Sequence, residues 1–210
     1  MFPDSSLTAY AASALPFLVP GMIGFVLFFL YDINSYTLKN RLAEKFFFAG
    51  TVLVAAATIL CLISAVRLGV FGGGADAVLI VLAVLSFAAM IYSLFFALPF
   101  TETYVTPDSK RCVYDKGAYA LCRHPGALFF FTAYLFLGLA ALPSPFLFCG
   151  MIFSALNFVY ICFQDRVTFP KTFVGYEDYR QRVPFIIPTY SSICLAFRTL
   201  RHDCGKEDGK

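Results

Sequence analysis

Apolar residues run without a charge from Ala11 to Leu30, from Phe46 to Val66 and from Ala77 to Pro99. Each run has about the 20 residues that a helix needs to cross a roughly 30 Å hydrocarbon core. Within such a core a helix satisfies all its backbone groups inside one segment. A fourth charge-free stretch, Gly126 to Phe163, is broken near its middle by "PSP" at Pro143 to Pro145. Two prolines in three residues remove backbone donors and stop a helix, so this stretch predicts two short helices joined by a tight hairpin. The pattern as a whole predicts an all-α membrane protein with five transmembrane helices. Pro16 and Pro20 are expected to kink the first helix, which neighbouring helices in a bundle accommodate.

The polar positions between the runs orient them. Five crossings place the two ends of the chain on opposite sides. Of the 16 Lys and Arg residues, 15 lie in the first loop (Lys39, Arg41, Lys45), the third loop and the tail, and Arg67 is alone in the second loop. By the positive-inside rule this sets the N-terminus out and the C-terminus cytoplasmic. The opening "MFPDSSLTAY" has no basic region ahead of the apolar run, so the first helix is expected to be a retained span and not a cleaved signal. No block of the chain has the composition of a soluble domain. We expect one membrane domain over residues 1–210, comprising three helices in 1–100, a chemistry-bearing region in 101–190 and a polar tail in 191–210.

Composition strengthens this picture. The chain is 60% hydrophobic and 14% charged, against about 25% charged in a soluble domain, so its solvent is expected to be lipid. A net charge of +3 is too small to imply a nucleic-acid partner. The seven cysteines form no CxxC pair and are expected to be reduced thiols acting as small apolar side chains, with palmitoylation of Cys194 or Cys204 as the alternative. With only His124 and His202 available, no metal site is expected. "FGGGAD" at Phe71 to Asp76 lacks a following Lys-Ser/Thr and is expected to be a turn and not a phosphate cradle.

Usable chemistry therefore collects in two cytoplasmic pieces. The first holds Glu102, Asp108, Lys110, Arg111, Asp115, Lys116, Tyr119, Arg123 and His124; the second starts at "NFVYICFQDR", where Asn157, Tyr160, Gln164 and Asp165 fall broadly on one helix face. Polar groups at membrane depth are costly, and so are either paired or functional. Arg123 and His124 have two readings. A basic helix end snorkels to the headgroups, with His124 near the N-cap and Pro125 in the first turn. Alternatively, the positive end of the helix and Arg123 together form an anion site, with Asp165 across the hairpin taking the opposite charge of a zwitterion. In "TFVGYEDYRQRVPFIIP", Phe173, Tyr176, Tyr179 and Val183 recur at spacings of three and four and predict a C-terminal amphipathic helix at the interface. The end, "RTLRHDCGKEDGK", is expected to be polar and loosely ordered, with His202 in solvent.

"GAYALCRHP", an apolar hairpin, "QD" and "YEDYRQRVP", in that order and covering about residues 100–190, resemble the isoprenylcysteine carboxyl methyltransferase and phospholipid methyltransferase superfamily of integral membrane enzymes. The matched positions are Gly117, Tyr119, Arg123, His124 and Pro125, then Gln164 and Asp165, then Tyr176, Tyr179, Val183 and Pro184. The resemblance implies an S-adenosylmethionine-dependent methyltransferase whose cofactor is held by Tyr119, Arg123, His124, Pro125, Gln164, Asp165, Tyr176, Tyr179 and Arg182. It implies His124 and Asp165 as the catalytic residues and a lipophilic methyl acceptor arriving from the bilayer. It places the site on the cytoplasmic face of a bacterial inner membrane or an intracellular membrane. The chain departs from the family pattern at Gln164, where an acid is usual, at Tyr160, where the prenylcysteine enzymes carry an arginine, at Arg111, which replaces a histidine, and at Ala127, which replaces a tyrosine. The missing arginine argues against a prenylcysteine carboxylate as substrate. Two alternatives remain: an NADPH-dependent membrane reductase with a similar closing region, and a non-catalytic member of the same fold.

Overall fold

The computed structural model describes residues 7–97 and 111–202. Glu102, Asp108 and Lys110, together with Cys204 and the other residues of 203–210, lie outside these residues, whereas the start of the polar end, up to His202, is helical. The described residues are mostly helical and fall into two compact units, one drawn from the chain up to Ser86 with Phe131–Gln164, the other from Phe87–Phe130 with the chain from Asp165 onward.

In the first unit, α1 (Leu7–Tyr36) contains both Pro16 and Pro20 and runs past the predicted end at Leu30. The polar residues there bond back onto their own helix. Ser35 Oγ donates to the Asp32 carbonyl at 2.6 Å and Thr37 Oγ1 to that of Ile33 at 2.6 Å. A 3₁₀ turn (Ala43–Lys45) leads into α2 (Phe46–Arg67). Gly24 and Gly50 let α1 and α2 touch backbone to backbone: a Cβ on Gly24 would sit 2.8 Å from the Gly50 carbonyl oxygen, and one on Gly50 would sit 2.7 Å from that of Gly24. Small residues at a helix crossing provide the close packing that apolar solvent cannot drive by itself. α3 (Gly74–Ile91) follows "FGGGAD". There Asp76 reaches back to accept from the amides of Gly72 at 3.0 Å and Gly73 at 2.7 Å, which satisfies the donors left over at a helix start.

The "PSP" break separates α5 (Pro125–Ala140) from α6 (Phe146–Phe163), as the prolines predict. Gly138 lies 3.0 Å, by its would-be Cβ, from the Leu147 Cα, so the hairpin closes tightly. The Tyr134 hydroxyl shares a hydrogen bond with Thr58 of α2. Phe28 and Phe29 of α1 pack on Tyr160 at ring distances of 5.6 and 5.3 Å, and Phe25 packs on Phe153 at 6.2 Å.

Four helical segments, Ala12–Tyr36, Ala43–Arg67, Gly74–Phe96 and Phe146–Thr172, are long and apolar enough to cross a membrane. Their outer faces present Leu15, Val26, Leu60, Val81, Leu85 and Met151, all exposed. The remaining apolar helix, Pro125–Ala140, has 16 residues, about 24 Å at 1.5 Å per residue, which is short of a full crossing.

The second unit holds a π-helical turn at Tyr92–Phe96, α4 (Ala118–Leu121), the first turns of α5, a second π-helical turn (Gln164–Thr168) from Asp165 onward, and α7 (Phe169–Thr172). It also has a two-residue parallel pairing, β1 (Arg111–Cys112) with β2 (Phe173–Val174), then α8 (Tyr176–Arg182) and α9 (Tyr190–His202). The tail helix is shorter than its apolar spacing predicts. Gly175, at φ 78°, takes the left-handed conformation and starts α8 afresh, and Pro184 drives Val183 into extended backbone at φ −111°, ψ 129°. Phe173, Tyr176, Tyr179 and Val183 nevertheless meet in one apolar cluster with Val113 and Phe169.

Candidate functional site

The element "CRHP" is held open by the chain that follows α8. Cys122 is extended at φ −158°, ψ 162°, so the next two amides leave the helix and find other acceptors. Arg123 N–H donates to the Pro184 carbonyl at 2.9 Å and His124 N–H to that of Phe185 at 3.3 Å. Pro125 then starts α5, and the His124 carbonyl accepts from the amides of Ala127 and Leu128 at 3.1 and 3.2 Å. This backbone fixes both side chains. The Arg123 guanidinium lies over the Phe185 ring at 5.4 Å, and the His124 ring stacks on Phe169 at 5.6 Å with its edge to Phe185 at 5.1 Å.

Asp165 supplies the charge these residues face. The π-helical turn inserts one extra residue into the end of α6 and so re-aims the side chains that follow it, a device often found at functional sites. Gln164 donates its amide to the Tyr160 hydroxyl at 2.9 Å. Asp165, one residue on, sits 2.8 Å from Arg123 Nε and accepts from Arg123 Nη2 at 3.3 Å. It also accepts from the Tyr176 hydroxyl at 2.7 Å, and lies 3.5 Å from both His124 Nε2 and Arg180 Nε. The Asp165, His124 and Arg123 side chains are 5, 5 and 10% exposed. Such burial makes an unpaired charge untenable, and one carboxylate here serves two guanidiniums, a phenol and an imidazole.

Burial also sets the protonation of the neighbours. It holds the His124 imidazole below its ordinary range, with Arg123 pulling the same way and Asp165 partly opposing. The Tyr176 phenol is raised by burial and by its hydrogen bond to Asp165, and Tyr179 is raised chiefly by burial. The Cys122 thiol is pushed up to about 11 by burial. At neutral pH the imidazole and the two phenols around Asp165 are therefore neutral.

Compared with known proteins, the chain matches no family model, no curated sequence and no solved structure.

Of the residues singled out from the sequence, Arg123, His124, Asp165 and Tyr176 come together directly. Tyr179 braces them from one step away: its hydroxyl donates to the Tyr119 carbonyl at 2.7 Å, and the Tyr119 hydroxyl donates to the Ser93 carbonyl at 3.1 Å. Pro125 is buried at the start of α5. Gln164 spends its amide on Tyr160, and Arg182, 59% exposed, pairs with Asp115 at 3.3 Å instead of with Asp165. Sequence reasoning missed Arg180 and the aromatic walls Phe169 and Phe185. Arg180 is signalled only by standing four residues after Tyr176, on the same side of α8.

A carboxylate-bearing cofactor has donors to meet here. His124 Nε2 is buried and makes no hydrogen bond of good geometry, and Arg123 Nε meets Asp165 out of line for one. Arg123 Nη1, by contrast, is committed to the carbonyls of Arg180 at 2.6 Å and Val183 at 3.1 Å. An incoming carboxylate would share Arg123 with Asp165. It would also reach Arg180, whose side chain is 37% exposed. Among the described residues, no group of three His, Cys, Asp or Glu side chains is placed to hold a metal.

Proposed function

We propose that this chain is an S-adenosylmethionine-dependent membrane methyltransferase similar to the isoprenylcysteine carboxyl methyltransferase and phospholipid methyltransferase superfamily, acting on a lipophilic acceptor. The observation that carries this reading is the convergence of two motif pieces, Arg123 with His124 and Tyr176, on the buried carboxylate of a third, Asp165. Residues so far apart in sequence have no local reason to meet. The four long apolar helices with apolar outer faces support the membrane half of the reading. We read Pro125–Ala140 as a fifth crossing in spite of its 16 residues, the bilayer thinning locally to meet a short helix, with the N-terminus out and the site at the cytoplasmic face.

When bound, the cofactor supplies an electrophilic methyl group on a sulfonium, so the protein's contribution is mainly position. In this reading Arg123 and Arg180 hold the carboxylate end, and Asp165 balances the ammonium or ribose. His124, neutral at pH 7, is able to accept a proton from an amine or thiol acceptor. Tyr160, buried and bonded to Gln164, offers no cation for an acceptor carboxylate, which favours lipid, amine or thiol acceptors. A second reading, a non-catalytic member of the same fold, draws on one observation: Arg123 is already engaged at both ends, by Asp165 and by two carbonyls.

Calorimetry of the purified protein with S-adenosylmethionine, S-adenosylhomocysteine and NADPH separates these readings. Binding of the adenosyl compounds, lost in Arg123→Ala, is the expected result. Folded protein that binds neither adenosyl compound overturns the proposal, and selective NADPH binding replaces it with a reductase.

A further inference from the structure

The loop joining α1 to α2 is a built structure with an apolar groove, and the described site does not use it. Asn34, 5% exposed, fixes the loop from inside: its Oδ1 accepts from the Asn40 amide at 2.8 Å and its Nδ2 donates to the Asn40 carbonyl at 3.0 Å. The Lys39 amide donates to the Asn34 carbonyl at 3.0 Å, and Asn40 Oδ1 accepts from the Leu42 amide at 2.8 Å. These bonds hold Lys39 at φ 49°, a left-handed conformation that a non-glycine residue keeps only when its surroundings impose it, as they often do at ligand clamps.

Beneath the loop lies a groove of about 300 Å³, lined mainly by Leu30, Ile33, Leu38, Leu42 and Phe46. That is the lower limit of ligand-pocket sizes, room for a stretch of hydrocarbon chain and not for a whole lipid. Leu38 and Leu42 are 82 and 67% exposed, an arrangement that suits an apolar neighbour better than water. Lys39 and Arg41 alternate with these lining residues, Lys45 follows a turn later, and all three are exposed. Glu44 is the one acid among them. The loop thus presents a hydrocarbon groove with a net positive rim at one end of two membrane-length helices.

We propose that the α1–α2 loop is a binding site for a phospholipid with an anionic headgroup, the phosphate meeting Lys39, Arg41 and Lys45 and part of one acyl chain lying along Leu38, Leu42 and Phe46. The inference rests on the membrane half of the proposed function and is independent of methyl transfer. A basic loop that merely follows the positive-inside rule needs neither the groove nor the fixed backbone.

The test is native mass spectrometry of the full chain, extracted in mild detergent after equilibration with equimolar phosphatidylglycerol and phosphatidylcholine. Retention of phosphatidylglycerol over phosphatidylcholine is expected. Each lost cation should weaken that retention roughly fivefold, so Lys39→Gln with Arg41→Gln and Lys45→Gln should weaken it on the order of a hundredfold. Leu42→Ser should reduce retention several-fold, and Arg198→Gln, in α9, should leave it unchanged. Equal retention of the two lipids, an unaltered triple variant, or a groove filled by a second copy of the chain overturns the site. Failure of the wild type to partition into vesicles at all counts instead against the membrane reading itself.

Discussion

The Arg123 guanidinium reaches Asp165 at 2.8 Å through Nε and the carbonyls of Arg180 and Val183 at 2.6 and 3.1 Å through Nη1. One side chain thus ties the start of α5, the π-helical turn and the end of α8 together. Removing the carboxylate leaves a buried cation, Arg123, near a second one, Arg180, with no counter-charge between them. Asp165→Ala should therefore cost about 3–5 kcal/mol of stability. The double variant Arg123→Met with Asp165→Leu should lose less than the sum of the two single changes. Thermal unfolding in detergent measures both, and simple additivity would show that the pair does not act as a unit.

Two tyrosine hydroxyls in the same cluster differ in what they donate to. Tyr176 donates to the Asp165 carboxylate and Tyr179 to the neutral Tyr119 carbonyl, both at 2.7 Å. Hydrogen bonds to charged acceptors are worth about 1.5–3 kcal/mol and neutral ones about 1. Tyr176→Phe should therefore destabilise the protein more than Tyr179→Phe, with ring packing kept in both. Equal unfolding midpoints for the two variants would count against a charged Asp165.

His124 makes stability depend on pH in a definite direction. Its folded pKa lies below the ordinary histidine value of about 6.5. Between the folded and unfolded values the unfolded chain holds more protons, so stability rises with pH in that window. The contribution is full above about pH 6.5 and is lost as pH falls from there through the folded pKa. His124→Gln should flatten this part of the profile, seen as a smaller shift in unfolding midpoint between pH 7.5 and pH 5 than in wild type.

Gly24 and Gly50 place α1 and α2 in backbone contact. A methyl group at either position meets a carbonyl oxygen that cannot rotate away. Gly50→Ala should cost about 1–3 kcal/mol, since the helices must separate. Ala49→Ser, one position along, should be close to neutral. Unfolding midpoints of the two variants provide the comparison.

Thiol reactivity should follow burial. Cys112 is exposed, whereas Cys61, Cys122 and Cys149 are buried, and Cys122 is further protected by a thiol pushed up to about 11. Only thiolate reacts rapidly with maleimide. Brief labelling at pH 7 followed by peptide mass spectrometry should find Cys112 modified and Cys122 untouched until the protein is unfolded. Early modification of Cys122 would mean that the "CRHP" element opens readily.

The sequence by itself determined the helices and the break between α5 and α6, because runs of apolar residues and paired prolines act through the backbone of their own segment. It also marked Arg123, His124, Asp165 and Tyr176, through their order and spacing. It did not mark the shortening of the tail helix as clearly, although Gly175 and Pro184 are its local cause. Tertiary structure alone decided who meets whom. Helical spacing places Gln164 beside Asp165 on one broad face, yet the π-helical turn leaves Gln164 with Tyr160 and gives Asp165 to Arg123. Arg182 carries the same charge as Arg180, two residues away, but pairs with Asp115 in a more exposed setting, while Arg180 reaches the buried carboxylate. A buried charge takes its partner from whatever the fold brings within a few ångströms, and that distance is set by packing between segments remote in the chain.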